Sequence, residues 1–246
     1  MKGTPQQRVV ITGIGVLSPN GNSLDTFWRN TLNCVSGINE ITRFDTTDFP
    51  VKIAGEIKDF GLRRYLPKEY TFKPKRLGMH TQFAMATTQM ALSHSGLTHE
   101  ALRNREPVAF FMGVSTSAID VIEKGKETLL KHGPNKVSPY TVSSCQPHAV
   151  VSEVVEMLGV ESKKSTFSSA CPSGLEAIGI ATQYIRSGAS DIAICGGVDS
   201  PITPLTLASF QLTGMILNES DNPEICSRPF DAKRGGGVIS EGGSMF

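Results

Sequence analysis

The run Val-Ala-Phe-Phe-Met-Gly at residues 108–113 has no polar residue at any alternate position. A strand with one wet face alternates apolar and polar residues. An unbroken apolar run of this length, closed by glycine, predicts a strand buried on both faces, which needs helices above and below it. The surrounding sequence supplies them. Helical segments are predicted over 76–95 closed by Gly96, 119–132 stopped by Gly133-Pro134, 148–158 closed by Gly159, and 172–186. Between them, β-branched or apolar runs predict strands at 8–15, 165–170 and 191–195, the last running into Gly196-Gly197. Strands alternating with helices imply an α/β fold with a parallel or mixed sheet covered on both faces.

Near the N-terminus, Ser23 is placed to cap a helix whose first turn holds Asp25 and whose one face carries Leu24, Phe27, Trp28 and Leu32. Residues 34–72 read as mostly irregular, and a connection that long is expected to be functional or to pack on another element. After Asp199 the chain reads as loop-rich, with Pro201, Pro204, Pro223 and Pro229.

Charge and cysteine usage narrow the function. Lys plus Arg total 24 and Asp plus Glu total 23, so no global field draws the chain to nucleic acid or an anionic membrane. The 5 cysteines are odd in number and include no Cys-x-x-Cys pair, which argues against a disulfide framework or a structural zinc. The 5 histidines include no His-x-x-x-His pair. No apolar run reaches bilayer length, and the short polar stretch before Val9 leaves no room for a leader peptide. A cytoplasmic protein without metal or cofactor is the expectation. Thr12-Gly13-Ile14-Gly15 starts like a dinucleotide turn, but Ser18 stands where the third glycine belongs and no helix opens at once. Gly235-Gly236-Gly237 reads as a turn rather than an anion nest.

The chemistry centres on Cys171. A strand runs into it and a helix follows, with Pro172 at the first helical position, where a missing N–H costs nothing. The sulfur then sits at a helix N-terminus. The dipole and amides there favour thiolate over thiol and can donate to an oxyanion. Cys34, Cys145, Cys195 and Cys226 have no such setting and read as small buried hydrophobes.

The motif Ser169-Ala170-Cys171-Pro172-Ser173-Gly174 resembles the nucleophile signature of β-ketoacyl-acyl-carrier-protein synthases, and other segments are similar in the same order. These are the opening from Val9 to Gly21, Arg43-Phe44-Asp45 with Ile53-Ala54-Gly55-Glu56, the stretch from Gly133 to Tyr140, Ala193 to Asp199, and Arg228-Pro229-Phe230-Asp231 with Arg234 and Glu241-Gly242. The spacing is most similar to the elongating, type II-like branch.

The resemblance implies a thiolase-like fold layered α-β-α-β-α, of which residues 1–246 form the N-terminal half as one ketoacyl synthase domain. It implies a homodimer, or a heterodimer with a related subunit. It also implies an acyltransferase of fatty acid or polyketide biosynthesis. An acyl chain passes from acyl carrier protein to Cys171, malonyl-carrier protein loses CO2, and the carbanion attacks the thioester to give a 3-ketoacyl product. The basic cluster Lys73, Lys75 and Arg76, with Lys136, would dock the acidic carrier protein, although a solvated surface cluster reads equally well.

The resemblance places two decarboxylating histidines, a lysine and a second oxyanion loop in a C-terminal half that this sequence does not contain. The chain is therefore expected to be a fragment or one piece of a split enzyme, without full condensation activity of its own. His148, on a helix ahead of the nucleophile, is expected to be a packing or surface residue. Two departures stand out: Pro172 follows the cysteine where small or hydroxyl residues are common, and Gly113-Val114-Ser115-Thr116 replaces a more glycine-rich turn near the acyl pocket. Two alternatives remain: an acyl-CoA condensing enzyme of the same fold, and a non-catalytic partner subunit that sets chain length.

Overall fold

The computed structural model describes residues 8–68, 70–71, 77–105 and 107–246. In chain order its elements are β1 (Gly15–Leu17), α1 (Leu24–Leu32), β2 (Ile38–Glu40), β3 (Ile53–Gly55), α2 (Met79–Ser95), α3 (His99–Arg103), β4 (Val108–Gly113), α4 (Ile119–His132), α5 (Thr141–Cys145), α6 (His148–Leu158), β5 (Ser162–Phe167), α7 (Ser173–Arg186), β6 (Ala193–Asp199), α8 (Pro204–Gln211), α9 (Pro223–Cys226) and β7 (Gly242–Met245). Five strands form one mixed sheet in the order β1-β7-β6-β4-β5. β4 runs parallel to both β5 and β6, while β7 is antiparallel to β6 and β1.

β4 sits inside the sheet with all its residues buried. Val108, Phe110 and Met112 point into the larger core with Phe83, Met85, Val150 and Val154 from α2 and α6. Ala109 and Phe111 point the other way, against Ala177 and Ala181 of α7. Burying each of Phe110 and Met112 stabilises the fold by roughly 2 kcal/mol. The result is helix, sheet, helix: α2 and α6 on one face, α7 on the other, as in a thiolase-like layered fold. A satellite lobe forms where β2 and β3 pair, around Ile41, Val51, Ala54, Ile202 and Leu207. It is tied to the sheet by charge. Glu241, on the approach to β7, is buried and accepts both guanidinium nitrogens of Arg43 at 2.5 Å, Ile57 N at 2.8 Å and Ser200 Oγ at 2.7 Å. Among the described residues no helix is long and apolar enough to cross a membrane.

The strands expected from sequence move in three places. Residues 8–14 form no ladder: the pairing of β1 with β7 begins at Gly15 opposite Met245, and Val10 and Ile11 are 68% and 64% exposed. β5 begins earlier than the expected 165–170, because in-register pairing of Ser162 with Val108 recruits Lys163 and Lys164. An edge strand tolerates lysine, so no apolar run announced it. β6 extends through Gly196 and Gly197 to Asp199, since β4 and β7 hydrogen-bond it from both sides. Residues 34–72, expected to be irregular, contain β2, β3 and a 3-10 turn at Leu62–Arg64.

The helices follow the sequence more closely. α4 and α6 match their expected bounds, and Gly96 and Gly159 close α2 and α6 in left-handed geometry. Ser23 caps α1 as expected, yet Trp28 and Leu32 on its apolar face are 58% and 65% exposed. α8 was signalled by Thr203-Pro204, a cap followed by proline in the first turn, within a stretch read as loop.

His80 on α2 is fully buried; its Nε2 lies 3.3 Å from Thr81 Oγ1 and its Nδ1 has no partner among the described residues. Burial pushes its pKa down from 6.5 to about 4. The unfolded chain takes up this proton near 6.5 and the folded chain only near 4, so stability falls as pH drops through that window and is unaffected by His80 above it. The full penalty is about 3 kcal/mol. His80→Gln should therefore lose less unfolding free energy than the wild type between about pH 7 and about pH 4.5 in urea titrations. Parallel losses in the two proteins would exclude His80 as the group responsible.

Candidate active site

Five residues separate the end of β5 from the start of α7, and Cys171 is among them, exposed. Its setting is built by its neighbours. Ala170 has φ 66°, in the left-handed region that a residue with a Cβ enters at a cost of about 1–2 kcal/mol. Ser173 holds that conformation. Its buried hydroxyl donates to the Ala170 carbonyl at 2.5 Å and accepts the Ser169 N–H at 2.9 Å. Ser169 Oγ in turn donates to Glu176 Oε2 at 2.5 Å, one turn into α7. The chain is thus pinned on both sides of a sulfur left free to react. Pro172 is the cap rather than the first helical residue, and the Ser173 N–H donates to the Ala170 carbonyl at 3.1 Å.

The first turn of α7 is seated directly on the sheet. A Cβ added at Gly113, the last residue of β4, would lie 2.2 Å from Ser173 C and 2.3 Å from Gly174 N. One added at Gly197 of β6 would lie 2.9 Å from Gly174 Cα. Backbone meets backbone at both points, which only glycine permits. The helix N-terminus, and Cys171 with it, is thereby fixed over the carboxyl ends of β4 and β6. That is where open α/β sheets place their ligands.

A cleft of about 370 Å3 opens there, lined by Val16, Leu17, Val114, Cys171, Asp199 and Gly243 among others. No histidine lines it among the described residues. The Asp199 carboxylate accepts Ser115 N at 2.7 Å, Thr116 N and Oγ1 at 2.8 Å each, and Ser117 N at 3.3 Å. It therefore spans from the end of β6 to the loop after β4.

The other candidates lie apart. Cys195 is buried in β6 and its thiol is pushed up to about 11 by that burial, as a packing residue should be; Cys226 is buried too. Cys34, expected to be buried, is exposed, in a turn with φ 55° just past α1. Cys145 is half-buried and donates to Val142 O. His148 is exposed on α6. Lys136 is exposed at the end of the 3-10 turn Pro134–Lys136 and lines a separate cavity of about 510 Å3 with Asp120 and Lys124. Lys73, Lys75 and Arg76 lie outside the described residues. Among the described residues no group of three or more His, Cys, Asp or Glu could hold a metal. Gly15, read as part of a failed dinucleotide turn, lets β1 pack on α2, where a Cβ would strike the Thr87 carbonyl. Gly237 pairs with Ile216 as an isolated bridge, not an anion nest.

The sequence reading missed Ser173, Asp199 and the seat at Gly113. Ser173 stood inside the nucleophile motif and Gly113 at a strand end, but nothing near Asp199 in sequence marks its partners, which lie more than 80 residues away.

Residues 6–246 match the family model of the beta-ketoacyl synthase N-terminal domain. The 3-oxoacyl-[acyl-carrier-protein] synthase 2 of Vibrio cholerae serotype O1 is 33% identical over 241 residues, which make up 98% of this chain and 57% of that protein. The protein of the same name from Synechocystis sp. is 31% identical over 246 residues, 100% of this chain and 58% of that one. The chain thus spans somewhat more than half the length of these curated relatives. Among solved structures, the ishigamide ketosynthase/chain length factor superposes with TM-score 0.87 at 28% identity, covering 98% of this chain and 58% of that one. The AntDE:AntF complex, a type II PKS acyl-carrier protein in complex with its ketosynthase bound to the hexaketide, gives TM-score 0.83 at 25% identity over 98% of this chain and 57% of that one.

Gly113→Ala should lower the unfolding free energy by about 3 kcal/mol, because the clash falls on backbone that cannot rotate away. The urea midpoint reads this directly. A wild-type midpoint would mean that α7 is not seated on β4 as described.

Proposed function

The chain belongs to the β-ketoacyl synthase family, whose N-terminal domain it carries, and from that premise we propose that Cys171 is the acyl-accepting nucleophile of a condensing enzyme of fatty acid or polyketide synthesis. The observation that carries this is the exposed Cys171 sulfur, at the N-terminus of α7 and in the wall of the cleft over the ends of β4 and β6.

In the first half-reaction the sulfur attacks the carbonyl of an acyl-carrier-protein thioester. The negative charge moves to the oxygen, where the Cys171 N–H and the positive end of α7 favour it. Collapse expels the carrier thiol and leaves the acyl chain on Cys171. In the second, malonyl-carrier protein loses CO2 and the resulting carbanion attacks the Cys171 thioester, giving a 3-ketoacyl chain two carbons longer. The decarboxylating histidines that family membership implies have no counterpart in the cleft among the described residues, so these residues support the first half-reaction most directly. In this reading residues 1–246 form the N-terminal ketoacyl synthase domain of the condensing enzyme, within a homodimer or a heterodimer with a related subunit. A cytoplasmic setting suits its five free cysteines.

Incubating the protein with acyl-carrier-protein thioesters should add one acyl group, mapped by peptide mass to Cys171 and absent in Cys171→Ala. A folded protein that takes no adduct from any acyl donor would overturn the nucleophile assignment and favour a non-catalytic partner subunit.

Lys73, Lys75, Arg76 and Lys136 are proposed to receive the acidic carrier protein. Reversing the exposed Lys136 charge (Lys136→Glu) should lower the rate of acylation from the carrier-protein thioester about fivefold relative to that from a small N-acetylcysteamine thioester, mostly at low salt. An unchanged ratio would remove Lys136 from the docking surface.

A further inference from the structure

We propose that Asp199 is a positioning residue that sets the wall of the Cys171 cleft by clamping the loop of residues 115–117. The inference rests on the acyl-transfer reading only in naming an acyl chain as the occupant of that cleft.

The loop leaves β4 immediately beside the cleft, and its Val114 and Ser115 line the cleft along with Cys171 and Asp199. Left to itself the loop has little to hold its shape. Ser117 has φ 55°, a left-handed conformation that a residue with a Cβ adopts only under constraint. Three successive backbone N–H groups, of Ser115, Thr116 and Ser117, converge on one point. Such a concavity of amides recruits an anion, and here the Asp199 carboxylate fills it. The Thr116 hydroxyl adds a further bond to the same oxygen that two of the amides share. At its far end Ser117 Oγ donates to Cys145 O at 3.0 Å, which fastens the loop to α5.

Asp199 is itself held in place. It ends β6, two residues after the Gly197 that touches Gly174 of α7, and the next residue, Ser200, donates to the buried Glu241. One rigid strand end therefore fixes both the helix under the nucleophile and the loop opposite it. A carboxylate suits this task and its amide does not. In Asp199→Asn one oxygen becomes an NH2, which would face a backbone N–H as donor against donor. The loop would lose its shape without any atom of Cys171 being altered.

The test uses two alkylating probes on the full chain, iodoacetamide and N-dodecyl iodoacetamide, with the rate at Cys171 resolved by peptide mass so that Cys34 and Cys145 do not interfere. The readout is the ratio of the long-probe to the short-probe rate constant. A purely structural role would change stability, followed in parallel by thermal melting, but not this ratio. In Asp199→Asn the ratio should fall about tenfold, since a displaced wall misplaces the long chain more than the short one. Thr116→Val removes only the hydroxyl bond and should lower the ratio about threefold, which keeps the proposal testable if Asp199→Asn does not fold. A ratio within about twofold of wild type in the folded variants would overturn the proposal. These probes need no carrier protein. Failure of wild-type acylation would therefore sink the condensing-enzyme reading while leaving the role of Asp199 to be decided by the ratio.

Discussion

The first turn of α7 touches the ends of β4 and β6 with no side chain between them, and the geometry around Cys171 depends on that contact. Gly113, Gly174 and Gly197 bring the backbones within reach of one another. A side chain at Gly113 or Gly197 would lift the helix N-terminus off the sheet and carry Cys171 away from the cleft. The same contact directs the helix dipole at the sulfur and at the carbonyl it would attack. A strained residue beside Cys171, Ala170, is then tolerated because Ser173 ties its carbonyl down and the seated helix leaves it no other course.

Around this contact the loops are fixed by carboxylates, those of Glu241 and Glu56 buried and that of Asp199 half-buried. Glu241 gathers Arg43, Ile57 N and Ser200 and so joins the β2–β3 lobe to the sheet. Glu56 does the same locally. Burial works to raise its pKa, but Lys58, Thr42 and the Arg43 N–H outweigh burial and hold it below its ordinary value. Asp199 completes the series at the cleft itself. Glu241 and Glu56 are charges withdrawn from water and satisfied by several donors, an arrangement that fixes one geometry and is strongly destabilised if a partner is lost. The hydrophobic core makes the sheet and its helices; these carboxylates decide where the irregular segments between them lie.

How much of this was legible in the sequence follows from which forces are local. The bounds of α4 and α6, the caps at Ser23, Gly96 and Gly159, and the doubly buried β4 were readable, because periodicity, capping and unbroken apolar runs act within a few residues. The place of Cys171 in a short strand-to-helix connection was readable as well, since the cysteine, the proline and the helix are neighbours in sequence. The bounds of β1, β5 and β6 were not. Gly15 is a strand residue only because Met245 lies opposite, and Lys163 only because Ala109 does.

The sequence by itself determined that the chain is α/β, that the strand at 108–113 is covered on both faces, and that one cysteine stands at the start of a helix. Only the tertiary structure decided that Gly113 and Gly197 form the seat of that helix, that Ser173 braces the turn, and that Asp199 holds the loop across the cleft. The physical reason is range. Propensity and patterning are written into neighbouring residues, whereas a glycine's close approach exists only once separate elements have been packed together, and the Asp199 carboxylate finds its donors only once segments more than 80 residues apart have been brought together by the packing of the core.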